Sequence, residues 1–318
     1  MHPGVRGLKR RLQTVNYWLI AQLALTGIRV LRLMPASLAL AVAERFARAL
    51  GPLFGRHRTA LGNLRAAYPE KSEAEIAVIA SDMWGHMARL ATEYVFLDRF
   101  LTHEPGRLPA ALDIEGDDVL KRIAAERDRP HILFAAHVGN FELLPFVADQ
   151  YGIDVTMMFR APNNPYIAAY LARTRSTKLG SLLPSGSGAA LGLARVLGRG
   201  GNIGVLVDQK FSPGLRTTFF GRPCDTNPLV PNMALRHDCA VIPVRTARLP
   251  GNRFRIVIEG PLELPRTADG RVDVQATAQL LNDVVERWVR EDPAQWMWFH
   301  KRWVLSPNVR KARPAGRL

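Results

Sequence analysis

The twelve residues "HILFAAHVGNFE", His131 to Glu142, decide how the chain is read. They open on an apolar run, break at His137, pass through Gly139 and Asn140, and reach Glu142 just as a second apolar run begins. Inside one helix, the five steps from His137 to Glu142 at about 100° each would leave the two side chains roughly 140° apart, on different faces. If instead "ILFAA" is a strand ending at His137 and a helix starts near Asn140, the turn can fold the carboxylate back toward the imidazole. Gly139 permits a tight turn, Asn140 suits a helix N-cap, and Glu142 falls in the first helical turn, where negative charge is favoured. The carboxyl end of a strand leading into a helix is also where α/β sheets place their sites.

Outward from this stretch the same texture recurs. The runs "IDVTMMF", "NIGVLVD", "CAVIPVRTA" and "FRIVIEG" are short and rich in β-formers, and helical stretches such as "NPYIAAYLARTRSTKLG" and "GAALGLARVLGR" lie between several of them. Alternation of this kind predicts an α/β fold, a sheet with helices packed on it. Upstream, Ser72 and Glu75 form an S-x-x-E capping box after Pro69, and "IAVIASDMWGHMARLATEYVFL" carries apolar residues at helical spacing, so the chain up to about residue 110 reads as mostly helical. With 318 residues, 47% hydrophobic and 22% charged, the chain is long enough and apolar enough to bury a sizeable core. Cys224 and Cys239 have neither CxxC spacing nor a nearby histidine pair, which argues against a zinc site or a disulfide framework and for a reducing compartment.

The charge is lopsided: 43 Lys plus Arg against 28 Asp plus Glu leaves +15. Such an excess favours an anionic partner. Arg6, Lys9, Arg10 and Arg11 precede the first apolar stretch, and Lys301, Arg302, Arg310, Lys311, Arg313 and Arg317 close the chain without an acidic residue. Between Leu12 and Ile28, "LQTVNYWLIAQLALTGI" carries no charge but is short for a spanning helix, which needs about 20 largely apolar residues. With Arg29, Arg32 and the Pro35-broken segment "LMPASLALAVA" after it, the start of the chain predicts a helix lying along or dipping into one leaflet; a soluble core helix and a cleaved signal are the alternatives. Nucleic acid is disfavoured, because no recognition motif is present and the basic clusters flank apolar segments.

A histidine oriented by a carboxylate is a general base, able to take the proton of a hydroxyl attacking a carbonyl. Amides at the start of the following helix, around Gly139 and Asn140, could hold the oxyanion. No G-x-S-x-G elbow accompanies the histidine, so the attacking hydroxyl belongs to the substrate. By pattern alone H-x-x-x-x-E is unspecific, and a structural histidine is the competing reading. Other features carry less. "SGSGAALG", Ser185 to Gly192, lacks the endings of phosphate-binding loops, His300 reads as structural or interfacial, and adjacent His237, Asp238 and Cys239 would alternate in direction along a strand, so no metal site is expected. Trp296, Trp298 and Trp303 beside Lys301 and Arg302 suit either a membrane interface or aromatic packing that closes the sheet.

"HVGNFE" resembles the H-x4-D/E motif of the glycerolipid acyltransferase superfamily. "NLRAAYPEKSEAE" from Asn63, "FRAPNNPYI" from Phe159, "VLVDQ" ending at Gln209, "FFGRP" from Phe219, "AVIPV" from Ala240 and "QWMWFHKRW" from Gln295 resemble, in order over roughly residues 60 to 303, one branch of it: the late acyltransferases of lipid A biosynthesis, typified by the lauroyl acyltransferase. That resemblance implies a mixed central β-sheet flanked by helices and a bacterial inner-membrane enzyme whose active site faces the cytoplasm. It would move a fatty acyl chain from acyl carrier protein to a hydroxyl on a lipid A precursor, with no cofactor or metal. His137 would be the base and Glu142 its orienting partner. Arg175 and Asp208 match further polar positions important in the family, Arg160 is a candidate contact for a lipid phosphate, and either arginine could instead simply pair with Asp208. The expected organisation is a membrane-anchoring helical segment over 1–50, an acyltransferase domain over 51–305 with its helical lead-in at 51–110, and a basic tail over 306–318. Acylation of another acceptor, such as a lysophospholipid or glycolipid, and a membrane-associated binding protein without catalysis are the rival functions.

Overall fold

A computed structural model describes residues 3–96, 109–126, 129–159, 162–175, 181–186 and 188–303. The chain begins with helices α1 (Pro3–Arg32), α2 (Ala36–Leu50), α3 (Gly55–Ala67) and α4 (Glu73–Val95). Helix α4 starts as the sequence predicts: the Ser72 hydroxyl accepts from the Glu75 amide, and Glu75 returns a carboxylate to the Ser72 amide at 2.8 Å. Its Ile76, Ala80 and Met83, one stripe at helical spacing, are buried. Helix α2 is fastened to α4 by charge, with Glu44 paired to Arg89 at 2.5 Å and Arg48 to Asp82.

The central sheet takes strands β1 (Leu112–Glu115), β2 (His131–Ala135), β3 (Val155–Phe159), β4 (Ser181–Pro184), β5 (Asn202–Leu206), β8 (Ala240–Leu249) and β9 (Arg253–Ile258) in the order β1-β9-β8-β2-β5-β3-β4. All neighbours run parallel except β8 and β9, which form an antiparallel hairpin, so the sheet is mixed. Strands β6 (Leu215–Phe219) and β7 (Arg222–Thr226) make a separate hairpin, turned through Phe220 and Gly221, both at positive φ. Helices α5 (Asp117–Ala125), α6 (Leu144–Gln150), α7 (Pro165–Arg175), α8 (Ala189–Leu197), α9 (Leu229–Arg236) and α10 (Val274–Glu291) connect and cover the strands.

Alternation along the strands divides the core in two. Ile132 and Phe134 of β2, with Ile203 and Val205 of β5, face α3, α4 and α10, where Phe134 stacks on Trp288 at 5.8 Å. Ile242 and Val244 of β8, with Ile256 of β9, face Ile123 of α5 and Phe146 of α6. Trp296 and Trp298 are buried in the first of these layers, their rings edge to face at 4.7 Å. Of the aromatic segment, Trp296 and Trp298 therefore help to close the core. Arg302, counted above among the basic residues near the end of the chain, is wholly buried: it donates to the Asp225 carbonyl at 2.7 Å and to Thr226 and Asn282. Helix α1 touches α7, whose first turn is capped by Asn164 while the Asn164 amide donates to the Tyr17 carbonyl at 2.7 Å. No helix among the described residues is long and apolar enough to cross a membrane.

Candidate active site

Strand register builds the centre. Ala135 of β2 pairs with Leu206 of parallel β5, so His137 and Asp208, each two residues beyond that pair, emerge side by side at the carboxyl edge of the sheet. The Val207 amide donates to the Ala135 carbonyl at 3.0 Å and holds the two strand ends together. The His137 ring meets Asp208 Oδ1 through Nδ1 at 2.8 Å, and the His137 backbone amide donates to Asp208 Oδ2 at 3.1 Å. Trp296 Nε1–H donates to the same Oδ2 at 2.8 Å. Asp208 is 3% exposed, and its oxygens are occupied, among the described residues, by His137 and Trp296.

The carboxylate that meets the imidazole at Nδ1 is that of Asp208, where Glu142 was expected as the orienting partner; the charge of Glu142 also acts on the ring. Glu142 sits in a 3-10 turn, Phe141–Leu143, which opens onto α6, and lines the same cavity as His137. The backbone does turn there as Gly139 predicted, with φ +60; a β-carbon at 139 would lie 2.5 Å from the Thr246 carbonyl oxygen, so only glycine fits. Of the backbone amides foreseen for the oxyanion around Gly139 and Asn140, that of Gly139 donates to the Gln295 carbonyl at 3.2 Å; the Asn140 side chain makes no cap and donates from Nδ2 to Glu93 at 2.9 Å. Arg160 lies outside the described residues, and of Arg175 only the backbone, at the end of α7, is described.

The electrostatics follow from burial and pairing. Burial alone would push the His137 pKa down, but the charge and hydrogen bond of Asp208, together with the charge of Glu142, outweigh it and hold the imidazole above its ordinary value. Burial opposes ionisation of Asp208 as well, yet His137 and the Trp296 indole carry its pKa down to about 2. With Asp208 ionised, the ring proton belongs on Nδ1, and Nε2 presents its lone pair. Gln209 Nε2 lies 3.1 Å from that nitrogen, an amide donor against an acceptor. His300, beside the dyad, has its pKa lowered chiefly by burial.

The open side of His137 faces an apolar channel of about 910 Å³. Leu133 and Ala135 of β2, Met157 of β3 and Gly204 of β5 form its floor, and Val147 and Ala148 of α6 cover it. Leu120 of α5 and Ile256 of β9 also line it. The channel is the space between the second core layer and the sheet, and His137, Glu142, Gln209 and Lys210 are among the few polar groups on its wall. A base whose Nε2 lone pair exchanges the Gln209 amide for a substrate hydroxyl, beside a long apolar slot, can activate that hydroxyl against a carbonyl carried on an alkyl chain.

The profile of the bacterial lipid A biosynthesis acyltransferases matches residues 6–304. The chain belongs to that family. A comparison with curated protein sequences finds no match. Membership makes this lipid A acyltransferase relative an acyltransferase of lipid A biosynthesis in general terms, and the mixed sheet with its flanking helices fits the architecture expected from the resemblance. Sequence reasoning overlooked the pairing of Asp208 with His137 because it looked for a carboxylate within a few residues. A signal was nevertheless present: "VLVD" puts an aspartate directly after an apolar strand, as "ILFAAH" puts the histidine after another.

Proposed function

We propose that the protein transfers a fatty acyl chain from an acyl carrier protein thioester to a hydroxyl of a hydroxyacyl chain on a lipid A precursor, working at the cytoplasmic face of a bacterial inner membrane. The observation that carries this reading is the His137–Asp208 dyad opening onto the apolar channel. In the proposed reaction the alkyl chain of the donor occupies the channel with its thioester carbonyl at His137. Nε2 takes the proton of the acceptor hydroxyl as its oxygen bonds to the carbonyl carbon. Asp208 holds the resulting imidazolium. The tetrahedral adduct then expels the carrier's thiolate, and His137 returns the proton to that sulfur. The Gln209 amide, next to Nε2, is a side-chain donor within reach of the developing oxyanion. Both substrates are anionic, which suits the net charge of +15.

The membrane assignment draws support from the start of the chain. Leu12, Leu19, Leu23 and Leu33 of the first helix and its exit are 61%, 54%, 77% and 86% exposed, and Phe46 and Leu53 continue the apolar surface at 62% and 79%. So much exposed leucine and phenylalanine, next to Arg29 and Arg32, fits a segment seated in one leaflet.

The test is product mass. Purified protein is incubated in lipid vesicles with acyl carrier protein thioester and either lipid A precursor or lysophospholipid. One acyl group added to the lipid A precursor supports the reading; addition to the lysophospholipid alone shifts the acceptor, and no acylated product from any pair favours a non-catalytic binding protein.

A further inference from the structure

A second buried charge cluster lies behind the dyad, and none of its groups touches the channel. Glu93, near the end of α4, is 2% exposed. Both its oxygens receive Arg248 of β8: Nη1 to Oε1, and Nη2 to Oε2 at 2.9 Å. The same Oε2 accepts the Asn140 amide at 2.9 Å, and Asn140 is itself 2% exposed. Arg248 is anchored in turn, its guanidinium 4.9 Å over the Phe254 ring and its backbone clasped by Gln295, which accepts from the Arg248 amide at 2.7 Å and donates to its carbonyl at 3.1 Å. Gln295 also takes the Gly139 amide on its own carbonyl, and it precedes Trp296, the residue that donates to Asp208. The short segment from Val138 to Asn140 is thus held at consecutive residues: Val138 by Thr246 at 3.0 Å, Gly139 by Gln295, Asn140 by Glu93.

Removing two charges from water costs several kcal/mol per ion, and a well-packed apolar pair is often as stable, so stability alone is a weak reason for a Glu–Arg pair at this depth. What the pair provides that an apolar pair would not is a fixed carboxylate oxygen for Asn140. That also sets the side chain at 140: the Nδ2 of Asn can donate to Glu93, whereas Asp there would set two carboxylates against each other.

We infer that Glu93 is a positioning residue for the proposed acyl transfer, acting through Asn140 to fix the loop that carries His137 against Asp208. This rests on the acyl-transfer reading for its rate consequence, but not for its geometric one. Displacement of a base by about 1 Å can cost on the order of 100-fold in rate. Loss of the hold therefore lowers kcat with little change in donor KM, because the channel walls are untouched, and lets His137 drift from Asp208, so that its pKa falls toward the ordinary imidazole value.

The experiment compares Asn140→Ala, Glu93→Gln and Glu44→Gln in the full chain. Asn140→Ala keeps the Glu93–Arg248 pair, so it remains informative if Glu93→Gln strands Arg248 and fails to fold. Glu44→Gln is the control, weakening the α2–α4 contact through the Glu44–Arg89 pair, which includes neither Glu93 nor Asn140. Three readouts are taken: thermal midpoint, the His137 titration by nitrogen NMR without substrate, and kcat and KM for acyl transfer. The expected result is a lowered His137 pKa and a roughly 10–100-fold fall in kcat for Asn140→Ala, with Glu44→Gln moving only the midpoint. A folded Asn140→Ala with wild-type titration and kcat overturns the inference, as does a kcat loss that follows the thermal midpoint equally in Asn140→Ala and Glu44→Gln. If the wild type transfers no acyl group while Asn140→Ala still shifts the titration, the positioning stands and the reaction reading fails.

Discussion

Replacing Asp208 by asparagine changes one atom in the site, and the structure specifies the consequence. Oδ2 accepts two N–H groups, from the His137 backbone and Trp296, whereas Oδ1 accepts one, from the ring. The asparagine carbonyl is therefore drawn to the Oδ2 position and its NH2 to the Oδ1 position. A donor now faces Nδ1, which must become the acceptor, and the ring proton moves to Nε2, the nitrogen that should receive the hydroxyl proton. A base in the wrong tautomer loses on the order of 10⁴-fold in kcat. Stability changes too: with its pKa carried from 3.8 down to about 2, the Asp208 carboxylate contributes about 2 kcal/mol, fully present above pH 4 and lost as the pH falls toward 2. In Asp208→Asn that contribution is gone at neutral pH, and the acid limb of whatever activity remains moves to lower pH, since His137 loses the charge that raises its pKa. The assay is the pH dependence of kcat for acyl transfer, alongside nitrogen NMR of the His137 tautomer. Retention of kcat within a few fold, with the proton still on Nδ1, would refute the reasoning.

Glu142→Gln removes the second charge that raises the His137 pKa; the acid limb of the rate profile should move to lower pH, with a smaller loss of kcat than for Asp208→Asn, and a profile unchanged in position contradicts the account. Gly204→Val places a β-carbon 2.9 Å from Met157 Cγ and 3.2 Å from Val155 Cγ1 on the channel floor, so donor competition should shift toward shorter acyl chains while short-chain turnover is retained. Leu23→Glu with Leu33→Glu removes two highly exposed leucines, each contributing about 1.5–3 kcal/mol if buried in lipid; vesicle sedimentation should show at least roughly 100-fold weaker partitioning, and unchanged partitioning would refute the apolar face as the lipid contact.

The parts of this protein legible in its sequence are those set by short-range pattern. The capping box at Ser72, the runs that became β2, β3, β5, β8 and β9, and the turn at Gly139 are each written in neighbouring residues. Strand β1, "LDIE", is too short and half polar to stand out, and the hairpin "LRTTF" and "RPCDT" is polar on one face, so neither was anticipated. At the site, local pattern found His137 and Glu142, five residues apart. The carboxylate that meets Nδ1 lies 71 residues on, because parallel register aligns Ala135 with Leu206 and carries both following side chains to one edge. Glu93 and Arg248 are separated by 155 residues, and only packing reveals them as a buried pair. The tryptophans of "QWMWFHKRW" were ambiguous because aromatic residues beside basic ones serve interfaces and cores alike, and burial of Trp296 and Trp298 decided for the core.

The central claim is that His137 performs the chemistry, and His137→Ala tests it most directly. Truncation leaves the channel walls intact and removes the only imidazole that meets Asp208 among the described residues. The mass spectrum of the lipid acceptor, taken after incubation with acyl carrier protein thioester under conditions where wild type converts it fully, should show no added acyl group for a folded His137→Ala. Full conversion by that variant would contradict the account.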